Sequence, residues 1–286
     1  MKRVYLATIA ALLFISSAHA ADFASDVRAV SGGFDNSDGG YFEFGVGLNT
    51  SNCGRTCLSL RTEPIVAGAY RYRGFFFEAI SPGISLNGGT VGGVTLGVNI
   101  WRNDRWALDL LGASTQWRLS RRTLSADDSD SVNPALEKAV LQREANYNGA
   151  GVRLTGYFGS TIFQYRLVNA TLSGNGVTSS ARIGRSRQMK NWNFHGVIRA
   201  DHVSQKTGQY WYGVSKDEAS TRFPQYDVRS STITYSAEIG ATYPVRENVV
   251  FRSTARYMPF VDTITNSPLQ ETEFDFKWNT SLSYVF

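Results

Sequence analysis

Long hydrophobic runs are absent from this sequence beyond residue 15. No later apolar stretch approaches the ~20 residues that a membrane-spanning helix needs, and the mean hydropathy is −0.22. Charged residues are also scarce, at 19%, and the formal net charge of +5 is spread along the chain rather than concentrated in a basic tract. These two deficits exclude a helical membrane protein and give no reason to expect nucleic-acid binding.

Histidine is scarce as well, with His195 and His202 the only two beyond residue 20. His202 and Ser204 resemble the His-x-Ser pair of the outer-membrane phospholipases, and both would lie on one face of a strand. A nucleophilic serine also needs a third group that orients the base, and the sequence fixes none. We therefore interpret His202 and Ser204 as a pair of polar residues at the point where a strand meets the loop that follows it. We expect no enzyme activity, no cofactor and no metal site.

The first twenty residues have the layout of a secretory signal peptide. Lys2 and Arg3 precede an uncharged apolar run that ends at Ile15, and Ala18 and Ala20 supply a small-x-small cleavage pattern. We expect residues 1–20 to be removed during export. The remainder predicts a flexible periplasmic segment at 21–40 and a single domain at 41–286.

Cysteine is limited to Cys53 and Cys57. An exported chain folds in an oxidising compartment, so the pair predicts a disulfide that closes a tight loop. A metal site is the alternative, but it would require two further ligands, and the neighbouring sequence supplies none.

Alternation of apolar and polar residues with a period of two is the main signal that is present. The final segment shows it most clearly, because its apolar face consists of Phe274, Phe276, Trp278, Thr280, Leu282, Tyr284 and Phe286. The residues between them are polar as far as Ser283. Aromatic side chains at both ends of one apolar face are typical of a strand in an outer-membrane barrel, where they lie at the two membrane interfaces.

Repetition of this pattern predicts an all-β fold, a transmembrane antiparallel up-and-down β-barrel. We count about twelve strands, or ten if the weak segment at 177–189 does not span. Short links are expected at Arg73–Gly74, Asn103–Asp104, Gly159–Ser160, Lys190–Asn191 and Glu247–Asn248, and long polar segments at 120–145, 205–228 and 259–272. Barrels of this type have short periplasmic turns and long outer loops. The expected location is therefore the bacterial outer membrane.

The polar faces of these strands supply the residues expected in the barrel lumen. They carry both charges, and the candidates are Arg153, Arg199, Glu238, Arg252, Arg256, Asp275 and Lys277. One interpretation is an internal network of ion pairs that holds a narrow barrel together. The other is a pore that favours anions or small zwitterions. Twelve strands are intermediate between filled barrels and aqueous channels, so both interpretations stay open.

A run of aromatic and small residues begins at Tyr210. It resembles the signature of the MipA/OmpV family, the MltA-interacting proteins. The matching positions are Tyr210, Trp211, Tyr212, Gly213, Val214, Ser215, Glu218, Ala219 and Tyr226. A later segment keeps Ser267 and Pro268 of the family's Asp-Ser-Pro motif, with Asn266 in place of the acid. The likeness is looser in the N-terminal half.

The resemblance implies an outer-membrane barrel and, for some members, a scaffold between a lytic transglycosylase (MltA) and a penicillin-binding protein in murein synthesis. Other members are associated with antibiotic or osmotic response, which accords with the alternative of a small-solute channel. The expected partners also include outer-membrane lipid and the barrel-assembly machinery. Tyr284 and Phe286 resemble the C-terminal signal that this machinery reads.

Overall fold

Twelve antiparallel strands build the fold. The computed structural model describes residues 39–52, 58–86, 89–120, 142–169, 176–270 and 272–285. The strands are β1 (Gly39–Asn52), β2 (Leu58–Tyr72), β3 (Phe75–Leu86), β4 (Gly89–Arg102), β5 (Trp106–Ser120), β6 (Gln142–Phe158), β7 (Thr161–Asn169), β8 (Val177–Met189), β9 (Trp192–Val203), β10 (Thr232–Arg246), β11 (Val249–Pro259) and β12 (Phe274–Val285). Helices α1 (Gln205–Tyr212) and α2 (Asp262–Thr265) lie outside the sheet. Among the described residues, no helix is long and apolar enough to cross a membrane.

The sheet closes on itself, because β1 pairs with both β2 and β12. Phe44 lies opposite Val66 in one pair and opposite Tyr284 in the other. Closure gives every strand of the barrel a neighbour on each side. The predicted all-β, up-and-down barrel of twelve strands is confirmed. The ten-strand alternative is wrong, since β8 forms regular ladders with both β7 and β9.

Side chains alternate between the two faces of the barrel wall. On β12, Trp278 and Leu282 are each 52% exposed, whereas Asp275 and Lys277 are 3% and 6% exposed. The outward positions of β1 repeat the pattern, with exposed side chains at Phe42, Phe44, Val46 and Leu48. An apolar outside with aromatic residues and a polar inside are what a bilayer requires of a barrel that crosses it. The wall therefore spans a membrane.

The two ends of the barrel differ in the length of their connections. Five short turns join strands at one end, at the positions that the sequence predicts. Gly74 and Gly159 have φ angles of +85° and +60° in two of these turns, a region that glycine occupies without strain. In a third turn, the side chain of Asn103 accepts hydrogen bonds from the amides of Arg105 and Trp106. The start of β1 and the end of β12 lie at this turn end, which faces the periplasm in barrels of this type.

The loop end departs from the expectation in two respects. The connection between β5 and β6 is shorter than the predicted 120–145, because β6 already begins at Gln142. The other two predicted polar segments are not plain loops, since they contain α1 and α2. The predicted signal peptide, most of the predicted flexible segment at 21–40, Cys53, Cys57 and Phe286 lie outside the described residues.

Candidate functional site

One cluster of charges in the lumen is centred on Arg153 of β6. Its Nη1 donates to both carboxylate oxygens of Glu78 at 2.9 Å, and its Nε donates to Oδ2 of Asp109 at 2.9 Å. The guanidinium lies over the ring of Phe76, 4.5 Å from the centroid. All four residues are at most 8% exposed. The Arg153 cluster therefore ties β6 to β3 and β5 through buried charges.

A second group of ion pairs lies where the barrel closes. Arg252 of β11 pairs with Glu43 of β1. Asp275 of β12 lies 3.6 Å from Nζ of Lys277 and 3.9 Å from Nη2 of Arg256. These contacts link the last two strands to the first one. A buried carboxylate with two cationic neighbours is compensated where a lone one would be costly.

A third group lies on β9 and β10. Nε2 of His195 is 3.3 Å from Oε1 of Glu238, and Arg199 pairs with Asp201. The His195 side chain is fully buried, and Gly240 on the neighbouring strand leaves room for it, since a Cβ at Gly240 would lie 2.3 Å from Cε1 of the ring. The structure thus places all seven predicted lumen residues on the inner wall. Six of them form ion pairs, and Glu238 is at hydrogen-bonding distance from His195.

The sequence analysis missed several inner-wall arginines, among them Arg166 of β7 and Arg182 of β8. In the ladders, Arg166 lies directly opposite Arg153, and Arg182 lies directly opposite Arg199. Arg166 is two positions from the buried Gln164, a spacing that could have placed it inside. The alternation of polar and apolar residues along β7 indicated its inner face only weakly, because that face also carries the apolar Ile162 and Val168.

The turn end of the barrel carries exposed cations. Arg73, Arg105, Lys190 and Arg246 are all exposed there, against the exposed acids Asp104 and Glu247. A cavity of about 750 Å³ opens at the same end, beside β8 and β9; it is lined by Ser160, Arg185, Ser186, Arg187, Gln188, Phe194, His195 and Gly196. This face has a cationic excess in the part of it that the structure describes.

At the loop end, residues 204–231 and 260–273 fold against each other, and we call them the loop pair. Val214, Phe223 and Leu269 are at most 2% exposed and form a small apolar core, with Ala219 and Tyr226 packed against it. Val214 and Tyr226 exchange backbone hydrogen bonds of 2.8 and 3.0 Å. The loop pair is therefore a structured unit with its own core.

Most residues of the sequence signature fall inside this unit. Glu218 accepts hydrogen bonds from the amide and hydroxyl of Ser215, and the hydroxyl of Tyr226 donates to the carbonyl of Thr263 at 2.8 Å. Gly213 lies so close to Gln209 that a Cβ would be 2.3 Å from its Nε2. Trp211 is 4% exposed and meets Tyr210 edge to face. These contacts give the signature a structural role.

The second piece of the signature begins a tight turn. The amide of Gln270 donates to the carbonyl of Ser267 at 3.0 Å, which places Pro268 at the second position of the turn, where its fixed φ is favoured. The hydroxyl of Ser267 donates to the carbonyl of Tyr212 at 2.5 Å. The turn and the first piece of the signature are therefore joined directly.

His202 and Ser204 do not share a face of a strand, contrary to expectation. β9 ends at Val203, and Ser204 is the N-cap of α1, where its hydroxyl accepts from the amide of Thr207 and donates to the Thr207 hydroxyl. Serine is favoured at such a position because it satisfies an unpaired helix amide. In the described part of the chain, no group of three His, Cys, Asp or Glu side chains is arranged around a common metal position.

The comparisons with known proteins agree with the resemblance found in the sequence. The family model described as MltA-interacting protein MipA matches residues 42–286. A search of curated proteins found no match.

Among solved structures, the chain is similar to the NanC porin (TM-score 0.44, 9% identity, 84% of this chain and 98% of that one) and to the KdgM porin in complex with disordered oligogalacturonate (0.42, 8%, 86% and 99%). It is also similar to the Pseudomonas putida toluene transporter TodX (0.40, 10%, 87% and 89%). The family match runs from β1 to the end of the chain and so includes the charged lumen, the turn end and the loop pair. The chain is an outer-membrane β-barrel that belongs to the MltA-interacting protein MipA family.

Proposed function

We propose that this barrel is a scaffold that holds a lytic transglycosylase of the MltA type, together with a penicillin-binding protein, at the periplasmic face of the outer membrane. The observation that carries the proposal is the family match over residues 42–286, since the family is described by its interaction with MltA. The barrel supplies the anchor in the membrane. It has no catalytic part in this proposal.

The turn end is the proposed contact surface. Its exposed cations Arg73, Arg105, Lys190 and Arg246 outnumber the acids Asp104 and Glu247 on the described turns. Complementary charge steers a partner to its site and fixes its orientation, and the effect weakens as salt rises. A stable interface needs about 800 Å² from each partner.

The rest of the barrel suits a rigid support. The Arg153 cluster ties β6 to β3 and β5, and the pair of Arg252 with Glu43 ties β11 to β1. Both sets of contacts lie inside the wall, so they stabilise the barrel and leave the turn end free for a partner. The loop pair lies at the opposite end and is excluded from a periplasmic contact by its position.

The test is a direct binding measurement. The refolded barrel in nanodiscs is titrated with a purified MltA-type lytic transglycosylase, and the complex is then offered a bifunctional penicillin-binding protein. We expect low-salt binding that falls about tenfold, or ~1.4 kcal/mol, when Arg73, Arg105, Lys190 and Arg246 are all changed to Ala. The matched control removes four exposed cations of the loop pair, Lys206, Lys216, Arg222 and Arg229, and should bind as the wild type does.

Either of two results would count against the proposal. If the folded wild-type barrel binds no transglycosylase, the scaffold role is wrong. If both quadruple variants bind equally well, the partner does not use the turn end, and the contact must be sought elsewhere.

The second candidate function is a small-solute channel that favours anions and takes part in envelope stress or antibiotic response. The observation that favours it is the row of arginines at facing positions on β6 to β9. Cationic groups along a pore wall favour anions. Single-channel recordings in planar bilayers test it: discrete openings with an anionic reversal potential in a salt gradient are expected of a channel. A folded barrel that stays silent removes this candidate and leaves the scaffold untouched.

A further inference from the structure

Four arginines form a continuous row across the inner wall, which we call the arginine ladder: Arg153 on β6, Arg166 on β7, Arg182 on β8 and Arg199 on β9. The register places Arg153 opposite Arg166 and Arg182 opposite Arg199. Residues directly opposite in an antiparallel pair have Cβ atoms ~4.5–5.5 Å apart, and diagonal neighbours are ~7–8 Å apart. Arg166 and Arg182 are diagonal neighbours, because Arg166 faces Ser180 and Arg182 faces Gln164. Adjacent guanidinium groups therefore lie within reach of one small molecule.

Like charges at facing positions destabilise a sheet unless something compensates them. At the two ends of the ladder the protein supplies the compensation, because Arg153 is paired with Glu78 and Asp109, and Arg199 is paired with Asp201. Neither of the two middle strands, β7 and β8, contains an acidic residue.

Arg166 lies on one of these two strands without acidic residues. Its Nε is buried, and no hydrogen-bond partner for it exists within the described part of the chain. Its electrostatic neighbours include Arg153, Glu78 and Arg199, and Glu78 is already bound to Arg153. A buried guanidinium nitrogen that lacks a partner is costly, so an anionic partner from solution would be stabilising there.

The side chains beside these two arginines fit an anion as well. Gln164 is 5% exposed and Ser180 is 8% exposed, and both point to the same inner face. Together with Arg166 and Arg182 they form a square. In it, each arginine lies opposite a neutral hydrogen-bonding residue of the neighbouring strand. Guanidinium groups bind carboxylates and phosphates in a bidentate manner. The amide and the hydroxyl add donors for the remaining oxygens.

We propose that the arginine ladder is a binding site for a small anionic solute that carries carboxylate or phosphate groups, seated on Arg166 and Arg182 between Gln164 and Ser180. The site lies inside the wall, so it does not depend on the proposed scaffold role at the turn end. It does not require conduction either, because a solute can bind in a lumen that it does not cross.

The test compares citrate and inorganic phosphate with the uncharged solute sucrose. Isothermal titration calorimetry of the refolded, heat-modifiable barrel should show binding of citrate or phosphate. Sucrose should produce no binding heat and should not stabilise the barrel. The double variant Arg166→Gln with Arg182→Gln should weaken the binding by about tenfold or more. Binding of citrate alone would identify polycarboxylates as the class, and binding of phosphate alone would identify phosphorylated solutes.

The matched control also removes two positive charges, but at positions of β8 outside the ladder. Arg185 and Arg187 lie on the outward-facing positions of β8 and are exposed, so Arg185→Gln with Arg187→Gln should bind citrate as the wild type does. The midpoint of thermal unfolding gives a second readout: the anion should raise it in the wild type and the control, and not in the ladder variant. If neither anion binds the folded wild type, or if both double variants bind equally, the proposed site is wrong.

Discussion

The hydroxyl of Ser267 donates a 2.5 Å hydrogen bond to the main-chain carbonyl of Tyr212, a residue 55 positions earlier in the chain. Both residues belong to the family signature, one to each of its two pieces. The bond joins the loop after β9 to the loop after β11, and the same serine oxygen accepts from the amide of Leu269 at 3.1 Å. The signature is therefore the sequence of one folded unit whose halves are distant in the chain.

Removal of this link should open the loop pair. We expect Ser267→Ala to leave the Tyr212 carbonyl and the Leu269 amide without their partner, at about 1–3 kcal/mol for a buried group. The barrel itself should fold normally. Limited proteolysis of the refolded protein, followed by mass spectrometry, should then show faster cleavage within residues 204–231 and 260–273.

The control for that experiment is Ser230→Ala, which removes an exposed serine from the same loop pair. It should be cleaved at the wild-type rate. Equal cleavage of the two variants would mean that the hydrogen bond between Ser267 and Tyr212 contributes little to the stability of the loops.

The barrel was predictable from the sequence because alternation with a period of two is a local property that each strand carries by itself. The five short turns are local as well, since the glycines at 74 and 159 and the side chain of Asn103 act within a few residues. The loop pair could not be predicted in this way. Its core joins Val214 and Phe223 to Leu269, and nothing in either segment alone reports that contact.

The lumen residues were likewise predictable only where their position depends on a single strand. The inward direction of Arg252 or Lys277 follows from the alternation of its own strand. The facing arrangement of Arg182 and Arg199 depends on the register between two strands, which alternation does not fix beyond the choice of face. Arg166 was missed because apolar residues occupy inward positions beside it on β7.

The Arg153 cluster should be a major contributor to barrel stability. Arg153→Met leaves the carboxylates of Glu78 and Asp109 buried and close together, and breaking a buried ion pair in this way costs about 3–5 kcal/mol. Urea unfolding of the barrel in lipid vesicles, followed by tryptophan fluorescence, measures the loss. Addition of Glu78→Gln and Asp109→Asn to the variant should recover much of it, because the uncompensated charges are then gone.

Arg105→Met serves as the comparison, since Arg105 is an exposed cation in a turn. Its free energy of unfolding should remain within about 0.5 kcal/mol of the wild-type value. A similar loss in both methionine variants would mean that the buried network adds nothing beyond a surface charge.

Gly240 should tolerate no side chain. A Cβ there would lie 2.3 Å from Cε1 of His195 and 2.8 Å from Cγ2 of Thr254, so Gly240→Ala must displace the buried imidazole from Glu238. We expect a loss of about 1–3 kcal/mol in the free energy of unfolding from this overpacking. Combination with His195→Ala should cost less than the sum of the two single changes. In contrast, a Cβ at Gly196 would lie 3.9 Å from its nearest atom, so Gly196→Ala should leave the free energy of unfolding nearly unchanged.

The outer face provides a test of the position of the wall in the bilayer. Ile239 lies in the middle of β10, faces outwards and is 67% exposed, whereas Val245 lies at a β-bulge beside the turn and is 50% exposed. An arginine on the lipid-facing side of a barrel costs about 2–4 kcal/mol at the midplane and about 0–1 kcal/mol near an interface. Ile239→Arg should therefore lower the free energy of unfolding in vesicles by several times as much as Val245→Arg. In detergent micelles, where the apolar layer adapts to the protein, the difference should shrink. Equal losses at both positions in vesicles would mean that the membrane is not centred on this part of the strand, and the assignment of the short turns to the membrane surface would have to be revised.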